Sequence, residues 1–197
     1  MRFGFVGPAG SSSSLLERAV GQLVTELEVD TVVYLGADEA IRDFITAQQR
    51  DKSEVSFEQR VAQVAATGSA AEITEVVRSL RGARYLEKLR VLPEPPANAI
   101  EMLDDRIILL VREKSSIGEE DVVNSNVVVY GDAKELAFKR YGPRCFFSPG
   151  PLEGGHLGIL DDETEGGGIT LRAIDLTGEV SWTEPIQGRG ARMKVAP

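Results

Sequence analysis

The chain has 197 residues, 42% of them hydrophobic and 27% charged, the composition of an ordinary soluble domain that buries one core. Asp and Glu number 31 against 22 Lys and Arg. The resulting net charge of −9 argues against a general nucleic-acid binder, whose phosphate contacts need a basic surface. One cysteine, Cys145, excludes an internal disulfide and fits a reducing compartment.

Residues 3–6, FGFV, predict a buried first strand that stops on Gly7-Pro8. Ser11, Ser12, Ser13 and Ser14 then offer N-caps to an amphipathic helix carrying Leu15, Leu16, Ala19, Val20, Leu23, Val24 and Leu27. The opening lacks the apolar h-region of a secretion signal, so a cytoplasmic location is expected. A second strand is predicted over 31–35, and a strand–helix–strand unit of this size implies a parallel pair.

From about 38 to 90 the periodicity is helical. One stripe joins Ile41, Phe44 and Ile45, and a second Val55, Phe57, Val61, Val64 and Ala65. A third runs through Ile73, Val76, Val77, Leu80, Tyr85, Leu86 and Leu89. Leu92-Pro93-Glu94-Pro95-Pro96 then forbids regular structure and makes the one clear internal boundary. Short strands are predicted over 99–103, 106–111, 127–130, 145–147, 157–160 and 169–175, with turns at 104–105, 118 and 166–168. Residues 119–123 and 134–139 could each add a turn or short helix, and residues 187–197 read as a flexible basic arm. No apolar run approaches the roughly 20 residues of a membrane span.

Three constellations carry chemistry. Gly7, Gly10, Ser11, Ser12 and Ser13 lie between a strand and a helix, where backbone N–H groups and the helix dipole favour an anion. They match neither Gly-x-Gly-x-x-Gly nor a Walker loop, so a plain turn with redundant caps competes with a small-ligand site. Arg78, Arg81, Arg84 and Lys88 recur at helical spacing as a basic stripe. It suits an acidic partner, or else forms a solvated face over the apolar seam. Asp38, Asp43, Asp104, Asp105 and Asp132 fall near predicted strand ends, where hard cations accept oxygen ligands, although acidic turns are common.

The strand ends also carry a resemblance. MRFGFVGPAG at 1–10, TVVYLGA at 31–37, VVVYG at 127–131 and FFSPG at 146–150 together resemble the frame of the calcineurin-like metallophosphoesterases. That family ends these strands in Asp-x-His, Leu-Gly-Asp, Gly-His-x-His and Asn-Pro-Gly-Ser. The resemblance covers about the first 50 residues and residues 100–180, and it places Pro8, Gly10, Ala37, Asp132 and Lys134 at the family's ligand positions. The Gly-Asn-His/Cys-Asp signature has no counterpart, and His156 is the one histidine of the chain. The family's reaction needs cations roughly 3.5–4 Å apart, held by several imidazole and carboxylate groups.

The resemblance therefore implies a four-layer α/β/β/α sandwich with mixed sheets, formed by residues 1–197 as a single domain with a helical insertion at about 38–90. It implies no catalytic residues, no bound metal or cofactor, and a protein-binding role like that of the retromer's phosphoesterase-like subunit. A rebuilt carboxylate–metal phosphoesterase and a sensor of a phosphorylated small molecule are the competing readings.

Overall fold

The computed structural model describes residues 1–49, 62, 64–66, 68–162 and 168–186. The expected stripe residues Val55, Phe57 and Val61, the glycines 166 and 167, and the arm 187–197 lie outside the described residues.

Two mixed sheets pack face to face. The first contains β1 (Arg2–Val6), β2 (Thr31–Tyr34), β3 (Leu89–Val91), β9 (His156–Asp161), β10 (Ile169–Asp175) and β11 (Val180–Ile186), in the order β11-β10-β9-β1-β2-β3. The second contains β4 (Ala99–Leu103), β5 (Arg106–Val111), β6 (Val127–Tyr130), β7 (Ala137–Tyr141) and β8 (Arg144–Ser148), in the order β4-β5-β6-β8-β7. β1 runs parallel to β2, and β2 to β3. β5, β6 and β8 are likewise parallel, so the C-terminal ends within each set emerge together.

Alternation along the central strands explains the layers. Phe3 and Phe5 of β1 face the second sheet, where they join Val33, Ile108, Leu110, Val127, Val129, Phe147 and Leu171 in one dry core. Val6, Val32 and Tyr34 face the other way, under α1 (Ser13–Gly21) and α2 (Glu39–Gln49), against Leu16, Val20 and Phe44. Both faces of β1 are covered, which is why it reads as an unbroken apolar run. On the far side, Leu109, Val128 and Tyr130 pack under Ile117 and under Val122 of a short helix, Glu119–Asn124. The sandwich is therefore helices, sheet, sheet, helix. The inter-sheet core includes Leu92 from one side of the proline-rich segment and Ala99 from the other, so the segment joins two halves of one core.

Among the described residues, the helical stretch expected over about 38–90 includes α2 and α3 (Ala70–Lys88), with residues 62 and 64–66 also helical, all within the β2–β3 connection. Ser69 caps α3: its hydroxyl accepts the Glu72 amide, while its own amide donates to the Glu72 carboxylate at 2.7 Å. That hydrogen bonding holds the Glu72 carboxyl below the usual carboxylate range.

Several expectations are corrected. Leu89 leaves the helical stripe and opens β3. Residues 137–139, expected in a turn or short helix, belong to β7, paired antiparallel with β8. The first helix passes after Gly21 into a π-helical turn, Gln22–Glu26, and the buried Gln22 side chain donates to the Asp175 carbonyl at 3.1 Å. Ile174 of β10 is buried beneath the helices, and the β10–β11 register shifts between Ala173 and Ile174. The Cys145 thiol is buried between the sheets, and that burial pushes its pKa up, disfavouring the thiolate.

Candidate functional site

The C-terminal ends of β1, β2, β5, β6 and β8 meet at one end of the sandwich, the end that holds every ligand position of the resemblance. Backbone packing closes this end. A methyl group built on Gly7 would overlap the Gly150 carbonyl oxygen, and one on Gly131 would overlap that of Leu35. Each of these contacts ties a strand end of one sheet to a strand end of the other. Hydrogen bonds complete the closure: Leu152 N–H to the Pro8 carbonyl at 2.8 Å, and Gly131 N–H to the Arg112 carbonyl at 3.0 Å. The Arg112 guanidinium reaches back to the Leu92 carbonyl.

Asp38 is the centre of the polar arrangement. One carboxylate oxygen accepts the backbone N–H groups of Ala9 and Gly10, both at 2.8 Å. The other accepts the Tyr34 hydroxyl at 2.6 Å. Tyr34 is buried, and its hydroxyl oxygen also lies 2.8 Å from the Ala9 N–H. Burial pushes the Tyr34 pKa far up, the Asp38 hydrogen bond reinforces this, and the Ala9 amide opposes it. The phenol therefore stays a donor to Asp38 at any physiological pH.

Gly10 has φ +63°, a left-handed conformation that disfavours a side chain and lets its amide turn toward Asp38. The amides expected to hold an external anion thus point at an internal carboxylate. Ser11 is exposed, Ser12 and Ser13 are half-buried, and the Ser12 hydroxyl makes no cap hydrogen bond to α1. Gly7 lies buried against Gly150.

Pro8 offers a carbonyl already bonded to Leu152, and Ala37 is an exposed methyl. Asp132 accepts the Lys114 amide at 3.1 Å, and the Lys114 ammonium sits 5.4 Å from the centre of the Tyr130 ring. Lys134 is exposed and brings a cation to a ligand position. His156 opens β9, half-buried, and its Nδ1 makes no hydrogen bond among the described residues. Among those residues no three His, Cys, Asp or Glu side chains gather as a metal site would require. The donor set does not fit the cation pair of the family, because its best carboxylate is committed to two amides and a phenol.

Of the basic stripe, Arg81 and Arg84 stand exposed on α3. The Lys88 ammonium donates to the Val29 carbonyl at 2.5 Å, and Arg78 has a partner within the chain. Beside them Ile73, Val77 and Leu80, expected in an apolar seam, are 48%, 39% and 44% exposed, whereas Val76 and Tyr85 are buried. Sequence reasoning found Asp38 only as one acidic turn among several and missed Tyr34. The spacing of four residues between them, across the end of β2, was the available signal.

No family model matches the sequence, and no curated protein matches it. Solved structures do. The chain is similar to Yfce, a phosphoesterase from E. coli, at 16% identity and TM-score 0.56, over 95% of this chain and 100% of that one. It is similar to an archaeal phosphodiesterase at 16% identity and TM-score 0.52, over 89% and 99%. Vacuolar protein sorting 29 from Cryptosporidium parvum matches at 11% identity and TM-score 0.52, over 95% and 98%. At these identities the likeness is one of architecture, and the chain has the calcineurin-like metallophosphoesterase fold.

Proposed function

We propose that the protein is a non-catalytic member of this fold that works in the cytoplasm as a protein-binding scaffold or regulator. The observation that carries the reading is the commitment of Asp38. The carboxylate nearest the family's metal position holds the Ala9 and Gly10 amides and the Tyr34 hydroxyl, so it serves the architecture of the loops. The similarity to a vacuolar protein sorting subunit is consistent with a role outside hydrolysis. A chromogenic phosphodiester and a phosphomonoester, each offered with Mn²⁺, Mg²⁺ or Ni²⁺, should show no turnover above the metal-only control. Metal-dependent turnover that survives repurification and disappears in Asp132→Ala would overturn the reading.

The partner surface in this reading is the outer face of α3. Ile73, Val77 and Leu80 repeat at helical spacing beside Arg81 and Arg84, the pattern by which one helix seats an amphipathic partner. Lys88 is held by the Val29 carbonyl, and Arg78 has a partner within the chain. Reversing Arg81 and Arg84 to glutamate should abolish capture of a partner identified with the unaltered protein, with little change in melting temperature, because exposed charges contribute little to stability. Unfolding of the double variant, or undiminished capture, would remove α3 from the interface.

A further inference from the structure

We propose that β4, the outer strand of the second sheet, pairs antiparallel with β4 of a second copy of this chain, joining the two sheets across a two-fold axis. The strands that end the two sheets are β11, β3, β4 and β7. Such edges offer unpaired N–H and C=O groups and are ordinarily guarded by charge, proline or shortness. β7 presents Lys139 and Arg140 as exposed side chains, and β11 carries Glu184 and Pro185. β3 has only three residues, with Arg90 at its centre. β4, Ala99–Leu103, has no lysine, arginine or proline and pairs with β5 without a bulge. It is the unguarded edge.

The hairpin geometry determines which of its backbone groups are free. Asp104 and Asp105 alone join β4 to β5, and Asp104 has φ +55°, as a tight hairpin turn requires. The pair that closes such a turn, Leu103 with Arg106, is hydrogen-bonded. Alternation then turns the N–H and C=O groups of Ala99, Glu101 and Leu103 toward β5, and those of Ile100 and Met102 away from the sheet. The side chains of Ile100 and Met102 stand on the outer face, 62% and 65% exposed. They extend the apolar row of β5, Ile100 beside Leu109 and Met102 beside Ile107.

A second copy fits this edge through its own symmetry. With the two-fold axis at Glu101, Ile100 of one copy lies opposite Met102 of the other, and the outward N–H and C=O groups of both residues are satisfied. The charges close as well. Glu101 points to the inner side of the sheet, where it is paired with Arg90 of β3, whose side chain is 44% exposed. At the axis two Glu101 carboxylates meet beside two Arg90 guanidiniums, a cluster of zero net charge that offsets the repulsion of like charges on opposed strands. Pairing of five-residue strands buries less than the roughly 1,200–2,000 Å² of a standard interface, so the dimer is weak and fills with concentration. It uses no residue of the α3 surface and goes beyond the proposed function, on which it does not depend.

Sedimentation equilibrium of the full chain from about 5 to 500 μM, at about 0.15 M salt where the screening length is about 8 Å, tests the proposal. A monomer–dimer equilibrium with Kd on the order of 100 μM is expected. Hydrogen exchange at the Ile100 and Met102 amides should slow about threefold between these limits, as the free edge is depleted. The double variant Ile100→Lys, Met102→Lys sets lysine opposite lysine and should weaken association at least about tenfold. Both side chains are exposed, so its melting temperature in dilute solution should match that of the unaltered chain. Arg90→Glu, which leaves only carboxylates at the axis, should weaken association with β4 itself unaltered. A chain that stays monomeric throughout, as an edge reserved for an extended segment of another protein would leave it, overturns the proposal. So does a dimer that survives both variants, or one that leaves exchange at the two amides unchanged.

Discussion

Gly7→Ala is expected to prevent folding, or to cost at least about 4 kcal/mol, in the tail of single-substitution effects. The added methyl would occupy the position of the Gly150 carbonyl oxygen, and neither partner has room to retreat. Gly7 follows β1 of one sheet, Gly150 follows β8 of the other, and Leu152 is bonded to Pro8 immediately beside them. Separating the backbones would open the contact that joins the sheets, and overpacking strain in a rigid core has no cheap relief. Gly154→Ala is the control, because a methyl there would meet nothing within 4 Å. Urea unfolding of the two variants measures the contrast, and similar midpoints would show that the sheets separate more easily at this end than the packing implies.

Asp38→Ala is expected to destabilise by about 2–4 kcal/mol, since it strands a buried phenol and removes the acceptor of two amides. Tyr34→Phe should cost less, about 1–2 kcal/mol, because Asp38 keeps both amides. The double variant should fall short of the sum, as for any two groups in one network. The pH dependence has a definite sign. Tyr34 is raised in the folded state above its ordinary value of 10.0, so its contribution is whole below pH 10 and declines as the pH rises beyond it. Tyr34→Phe should flatten that alkaline decline. Denaturation midpoints from pH 7 to 11 provide the measurement, and equal slopes in the two proteins would mean that the phenol is not buried and hydrogen-bonded as the structure shows.

Gly7, Tyr34 and Asp38 lie at the end of the sandwich where backbone contacts and the Asp38 carboxylate tie neighbouring strand ends together.

The sequence by itself determined the central strands. Residues 3–6, 127–130 and 107–111 are apolar runs because those strands are covered on both faces, so burial is written directly into composition. That the chain carries a single histidine is likewise a matter of composition and needs no coordinates. The edge strands were decided by tertiary structure. β3 continues the helical pattern of α3 and becomes a strand only by pairing with β2. β7 and β11 carry charged or proline residues that a local reading assigns to loops. They are held by β8 and β10, by Trp182 packed against Phe138, and by the Arg140–Glu184 ion pair at 2.6 Å. The site was decided in the same way. Ala9, Gly10, Tyr34 and Asp38 belong to two segments some thirty residues apart, and parallel pairing of β1 with β2 brings their ends together. Periodicity reports what each segment buries, whereas a carboxylate's partner depends on which backbone arrives beside it, and that is settled only when the sheets close.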